Sequence, residues 1–256
     1  MVDIKSSREI ELIKESCRIT EMACKAVEVA ITPGISTLEL DKIAEEVIKK
    51  HGAVPSFKNY PSRLKGVQSF PATACISIND EVIHGIPSKE RIIKEGDIVS
   101  IDLGAYKNGF HGDMARTVIV GHTDNETARL VEVTKQAFFE GIKFAKVGYR
   151  IGDISYAIGA FVEKNGFSVV KDFQGHGIGR MLHEEPAIPN YGKPEKGIRL
   201  EPGMTLAIEP MVNMGKSDVI ELADGWTVVT KDGSISTHYE NTILITEKEP
   251  EILTIA

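Results

Sequence analysis

The sequence predicts an α+β fold of two related halves, about residues 1–121 and 122–256, each a largely antiparallel sheet covered by helices. Three observations carry this expectation. An amphipathic segment between Gly34 and Gly52 is echoed at the same glycine spacing between Gly148 and Gly166, with Leu40, Ile43, Val47 and Ile48 matching Ile154, Ala157, Phe161 and Val162. Past each helix an acidic residue closes an apolar run at equal distance from a glycine, Gly96 to Asp102 and Gly203 to Glu209, and His84-Gly-Ile-Pro87 is echoed by His183-Glu-Glu-Pro186. Tight turns at Asn108-Gly109, Asp224-Gly225 and Asp232-Gly233 then mark hairpins.

In chain order, the first helix starts at Ser6 or Ser7. It carries Ile10, Ile13, Cys17, Met22, Cys24, Val27 and Ala30 at roughly helical spacing and ends at Thr32-Pro33-Gly34. The second runs from an N-cap at Thr37 to Gly52, with Lys49 and Lys50 suited to its C-terminus. Strands are expected over 98–106 and 110–120, and later over 219–223, 226–230 and 235–246. No Pro/Gly/Ser-rich linker separates the halves, so a single domain over 1–256 is expected.

The 256 residues, 42% hydrophobic and 26% charged, suffice for a sizeable core and exclude a disordered or fibrous chain. A net charge of −7 disfavours DNA or an anionic membrane as partner. Cys17, Cys24 and Cys75 form no disulfide framework, and no apolar run approaches the ~18 residues of a membrane span. Cytoplasmic residence is therefore expected.

If Asn108-Gly109 is a two-residue loop, Lys107 pairs with Phe110, Asp102 lies opposite Ala115, and Asp113 is its diagonal neighbour on the same face, within ~7–8 Å. Two carboxylates so placed repel unless protonated or bridged by a cation. Glu209 ends its strand before Pro210, and Glu240 lies inside an apolar strand, where a buried acid needs a partner. His176 stands between Gly175 and Gly177, where absent side chains leave the imidazole accessible. Singly, each also reads as a solvated acid or a loop histidine. Together, four carboxylates would balance two divalent cations ~3.5–4 Å apart, with a neutral imidazole as fifth ligand. The oxygen-rich set suits Mn, Fe, Co or Zn.

The stretches SINDEVIHGIP (77–87), IDLG and FHGD (101–104 and 110–113), GHGIGRMLHEEP (175–186), IEPMVN (208–213) and GWTVVTKDGSIST (225–237), followed by Glu240, resemble the methionine aminopeptidases of type 1. The match covers nearly the whole chain after the first helix. It implies the pseudo-symmetric pita-bread fold and a dinuclear centre held by Asp102, Asp113, His176, Glu209 and Glu240, with Asp113 and Glu240 bridging. It further implies catalytic roles for His84, His183 and Glu209. A metal-bridging hydroxide would attack the first peptide bond while Glu209 shuttles its proton, His183 bonds the carbonyl oxygen and His84 contacts the amide nitrogen. Substrates would be nascent polypeptides and peptide N-termini with a small second residue. Phe70, Cys75, Leu182 and Trp226 would form the methionine pocket, and Asn79 and Ser236 would mark a monovalent cation site. A monomer with transient ribosome contact is the implied state.

Two departures stand out. The segment 54–68 follows the family's Gly-Tyr-rich loop only loosely, and His238 and Asn241 flank Glu240 where Gln and His are expected; His238 shares strand-face parity with Glu240 and reads either as a site contact or, the preferred reading, as a solvated edge residue. The alternatives are an Xaa-Pro aminopeptidase or prolidase of the same fold and an inactive nascent-chain or ribosome-associated binding protein. A metal-independent, creatinase-like hydrolase is a third.

Overall fold

A computed structural model describes residues 2–255. The first half comprises α1 (Ser7–Ala30), α2 (Thr37–Lys50), β1 (Val54–Pro55), β2 (Ala74–Ile78), β3 (Glu81–Ile83), β4 (Ile98–Lys107) and β5 (Phe110–Ile119). The second begins with α3 (Asn125–Ile142), α4 (Ile151–Lys164), β6 (Ser168–Val169), β7 (Gln174–Gly177) and β8 (Glu184–Pro189). It continues through β9 (Thr205–Ile208), β10 (Met211–Asn213), β11 (Val219–Glu221), β12 (Val228–Thr230), β13 (Ser236–His238), β14 (Glu240–Leu244) and β15 (Glu251–Ile252).

The helices begin where side chains satisfy their free N–H groups. Ser6 and Glu9 form a capping box at α1, and Asp124 accepts from the amides of Glu126 and Thr127 at α3. At α2 the cap is Ser36, not Thr37: Ser36 and Glu39 make the reciprocal pair, and the Thr37 hydroxyl donates instead to the Ser88 carbonyl. The repeated glycines have one cause. Gly34 and Gly148 share φ +99°, and Gly52 and Gly166 leave their helices at +68° and +81°, all in the left-handed region that glycine enters most readily.

Strand pairing is antiparallel throughout, as expected. The central nine-stranded sheet runs β1-β4-β5-β14-β9-β7-β8, with β2 on β4 and β15 on β14. Two three-stranded sheets, β13-β10-β6 and β11-β12-β3, flank it. The Lys107↔Phe110 turn register holds along the whole β4–β5 hairpin. The span 235–246 is not one strand. It divides at Tyr239 into β13 and β14, because the facing Pro210 has no N–H, so Tyr239 donates to the Pro210 carbonyl without a return bond. The spans 219–223 and 226–230 shorten to β11 and β12, since the Asp224 carboxylate draws the amides of Trp226 and Thr227 into the turn.

Each half has its own main core. Ile19, Leu40, Ile76, Val99 and Ile101 belong to the first, and Leu130, Phe138, Ile154, Leu206 and Ile243 to the second. α1 lies directly on β5: a Cβ on Gly112 would come within 2.6 Å of the Cys17 amide nitrogen. That contact explains a glycine beside Asp113. The inner strands of the two halves, β5 and β14, meet at the centre of the large sheet, and the functional carboxylates line that seam.

Candidate active site

Asp102 projects from β4 opposite Ala115, and Asp113 from β5 opposite Gly104, which puts both carboxylates on one face as the hairpin register demands. Glu240 opens β14 opposite Ala115, so all three meet at the seam. Glu209 follows β9, and His176 lies on β7, the strand beyond it. Ligand atoms of Asp113, His176 and Glu240 all lie within 4.8 Å of one another. His176 Nε2 is 3.5 Å from Glu209 Oε1 and 4.0 Å from Asp113 Oδ2.

The glycines around His176 serve packing rather than unusual backbone angles. Neither Gly175 nor Gly177 has positive φ, and a Cβ on either would fall on a neighbouring strand's carbonyl oxygen, that of Ala207 or Glu185. His176 Nδ1 lies 2.8 Å from the Gly177 carbonyl, which fixes the proton on Nδ1 and leaves the Nε2 lone pair facing the carboxylates.

Burial is the main electrostatic fact here. It pushes Asp102 and Glu209 up to about 7, and Asp113 and Glu240 well above the ordinary carboxylate range, where neighbouring carboxylates raise them further. Asp102 Oδ1, Asp113 Oδ1 and Glu240 Oε1 are buried without a hydrogen-bond partner. Unsatisfied, crowded carboxylate oxygens beside an imidazole whose lone pair is free form a donor set that fits divalent cations. His84 and His183 are driven the other way by burial, to about 4 and about 3, and so stay neutral.

A cleft of about 530 Å³ opens onto this cluster. Phe70, Cys75 and Leu182 share an apolar patch against which Trp226 packs, and the Phe70 and Trp226 rings meet edge to face at 5.2 Å. His84 lies 6.2 Å from the Trp226 ring, and the His183 ring 4.4 Å from that of His176. Thus the structure gathers the expected ligands, both histidines and all four pocket residues into one cleft. Asn79 and Ser236 are adjacent elsewhere, Ser236 N donating to the Asn79 carbonyl at 2.9 Å. Their side chains are already used, Asn79 by Asp97 and the Ile98 amide, Ser236 by Asn213.

Several site residues escaped the sequence reading. Tyr60 Oη lies 2.6 Å from His183 Nδ1, Phe57 joins the apolar patch, and Arg63 lines the mouth, where its charge depresses both histidines. All three come from the divergent 54–68 segment, whose aromatic residues were the available signal. The preferred reading of His238 as a solvated edge residue is corrected: it is 1% exposed, with Nε2 3.6 Å from Glu209 Oε2, on the face it shares with Glu240. Asn241 is structural, its Oδ1 accepting from Arg116 and Thr254.

The chain resembles known proteins over its whole length. The profile of metallopeptidase family M24 matches residues 11–247. A methionine aminopeptidase of Clostridium perfringens is 52% identical over 255 residues, covering 100% of this chain and 99% of that protein. The crystal structure of a methionine aminopeptidase from Thermotoga maritima superposes with a TM-score of 0.96 at 46% identity, covering both chains completely. A prolidase from Pyrococcus furiosus is more distant, with a TM-score of 0.78 at 26% identity, covering 99% of this chain and 65% of that one.

Proposed function

Because this chain belongs to metallopeptidase family M24, we propose that its buried carboxylate cluster and apolar pocket serve one reaction, release of the N-terminal methionine from peptides and proteins. It is a metal-dependent aminopeptidase of the pita-bread fold. The observation that carries the specificity is the placement of Phe70, Cys75, Leu182 and Trp226 in the cleft that holds the cluster, since apolar and aromatic walls suit a thioether.

Asp102, Asp113, His176, Glu209 and Glu240 would hold two divalent ions, drawn from Mn, Fe, Co and Zn. Four carboxylates against four positive charges support that count. Bound there, the ions supply Lewis acidity and a nucleophile at neutral pH. Glu209 takes the proton of the attacking water and returns it to the leaving amine. Tyr60 donating to Nδ1 keeps the His183 proton on Nε2, ready to bond the carbonyl oxygen as it gains charge. His84, neutral and against Trp226, contacts the scissile amide nitrogen.

Substrates are nascent and finished polypeptide N-termini, and the segment bearing Tyr60 and Arg63 at the mouth supports a small second residue. Every proposed ligand comes from this one chain, which supports a monomeric unit spanning both halves, with at most transient ribosome contact. Three buried, unpaired cysteines support a reducing cytoplasm, and among the described residues no helix is long and apolar enough to cross a membrane.

The test is release of methionine from a Met-Ala-Ser peptide beside an Ala-Pro peptide, with protein titrated anaerobically with Mn, Fe or Co. Metal-dependent cleavage of the first alone is expected. Cleavage of the second alone transfers the reading to an Xaa-Pro peptidase, and cleavage of neither despite metal binding leaves a binding protein.

A further inference from the structure

The two halves correspond residue by residue along their hairpins. In the first, Asp102 faces Ala115 and Gly104 faces Asp113. In the second, β9 and β10 face β14 and β13 in one continuous register, from Thr205↔Leu244 through Asn241↔Ile208 to Met211↔His238. Equivalent hydrogen bonds anchor the match: Gly96 N to Val120 O and Gly203 N to Ile245 O, then Val120 N to Asp97 O and Ile245 N to Met204 O. Asp102 therefore corresponds to Glu209, Ala115 to Glu240 and Asp113 to His238. The Ala115/Glu240 pair, hydrogen-bonded across the seam, maps onto itself. At the place where the first half offers Asp113, the second offers an imidazole.

That imidazole is inside the protein and otherwise unemployed. His238 is 1% exposed and its Nε2 has no hydrogen-bond partner. Its backbone is clamped by one side chain, its N–H donating to Thr117 Oγ1 at 3.0 Å and its carbonyl accepting from the same hydroxyl at 2.8 Å. Nε2 stands 3.6 Å from Glu209 Oε2, while His176 Nε2 stands 3.5 Å from Glu209 Oε1. One carboxylate thus has an imidazole on each oxygen. A polar atom buried without a partner is costly, so the nearest acceptor is its natural partner.

We propose that His238 is a positioning residue of the metal centre, its Nε2–H held to Glu209 Oε2 so that Oε1 stays turned toward the ion shared with His176. The inference rests on the metal centre described above but not on which peptide is cleaved. Its physical basis is orientation: a carboxylate fixed through one oxygen presents the other in a single direction, and groups that orient a ligand in this way change metal affinity about 10–100-fold.

The test is calorimetric titration of metal-stripped protein with Co(II) under anaerobic conditions, together with the visible absorption of the bound ion. Wild type is compared with H238M, which keeps the volume but lacks the donor, and H238Q, whose amide N–H replaces it. H238M is expected to bind one ion about 10–100-fold more weakly with a shifted absorption band, and H238Q to stay within a few-fold of wild type. Equal affinities and spectra for H238M and wild type, with far-UV circular dichroism unchanged, overturn the proposal. So does equal weakening in H238M and H238Q. No peptide enters the assay, so a wild type that binds Co(II) but releases no methionine overturns the functional reading and leaves this test decisive.

Discussion

His84 holds its backbone at φ +60°, a conformation that costs an L-residue roughly 1–2 kcal/mol, and the cleft holds both it and His183 neutral, at pKa values of about 4 and about 3. A histidine with so low a pKa does not change charge between pH 5 and 8. Replacing His183 by Ala is therefore expected to lower kcat about 10²–10³-fold, the loss of one oxyanion donor, while the acid limb of kcat/KM stays where it is and bound metal is unchanged. A pH–rate series with metal analysis checks this; an acid limb that moves with the substitution contradicts it. Tyr60 acts one step further out. Tyr60→Phe removes a 2.6 Å bond to His183 Nδ1, and a loss of about tenfold in kcat with little change in KM is expected from steady-state kinetics. Strand parity put His238 on the face of Glu240 but not against Glu209, and Tyr60 could not be placed at all, because each owes its partner to a distant segment. Tyr60 reaches His183 across the cleft, and His238 is enclosed by Thr117 and Glu209.

What was legible at the level of elements was local. Asn108-Gly109 set the hairpin register, and through it the shared face of Asp102 and Asp113. The glycine spacing gave the repeat, and the ligand-bearing strands followed from their apolar patterns. The less legible features depended on partners: Ser36 in place of Thr37 as the cap, and the division at Tyr239, imposed by a proline on the facing strand. Gly177 shows how closely strand packing and chemistry are joined. A methyl there would collide with the Glu185 carbonyl and push β7 off β8. Gly177→Ala is expected to lower the urea midpoint by the equivalent of about 1–3 kcal/mol and to weaken metal binding through His176. An unchanged midpoint by chemical denaturation would show that the strands yield.

Taken whole, the protein buries more acid than its own cations offset. Asp102 and Glu209 rise to about 7 on folding, so the metal-free protein holds protons that its unfolded chain has lost. Stability from these groups is fully present below their unfolded pKa values of about 4 and is lost as pH rises through about 7. The melting temperature of metal-free protein is accordingly expected to fall between pH 5 and 8, and the gain on adding divalent metal to be largest at pH 8. Calorimetric scans with and without metal measure both; a metal-free melting temperature that rises with pH would refute the account. The self-matching pair at the seam has a consequence for origin. In a symmetric homodimer of either half, identical side chains would meet there. Two copies of the first half would bring two alanines and no ligand, and two of the second would force two glutamates together. Only two unequal halves can set a single carboxylate at that point, and their divergence is as much a part of this centre as any of its ligands.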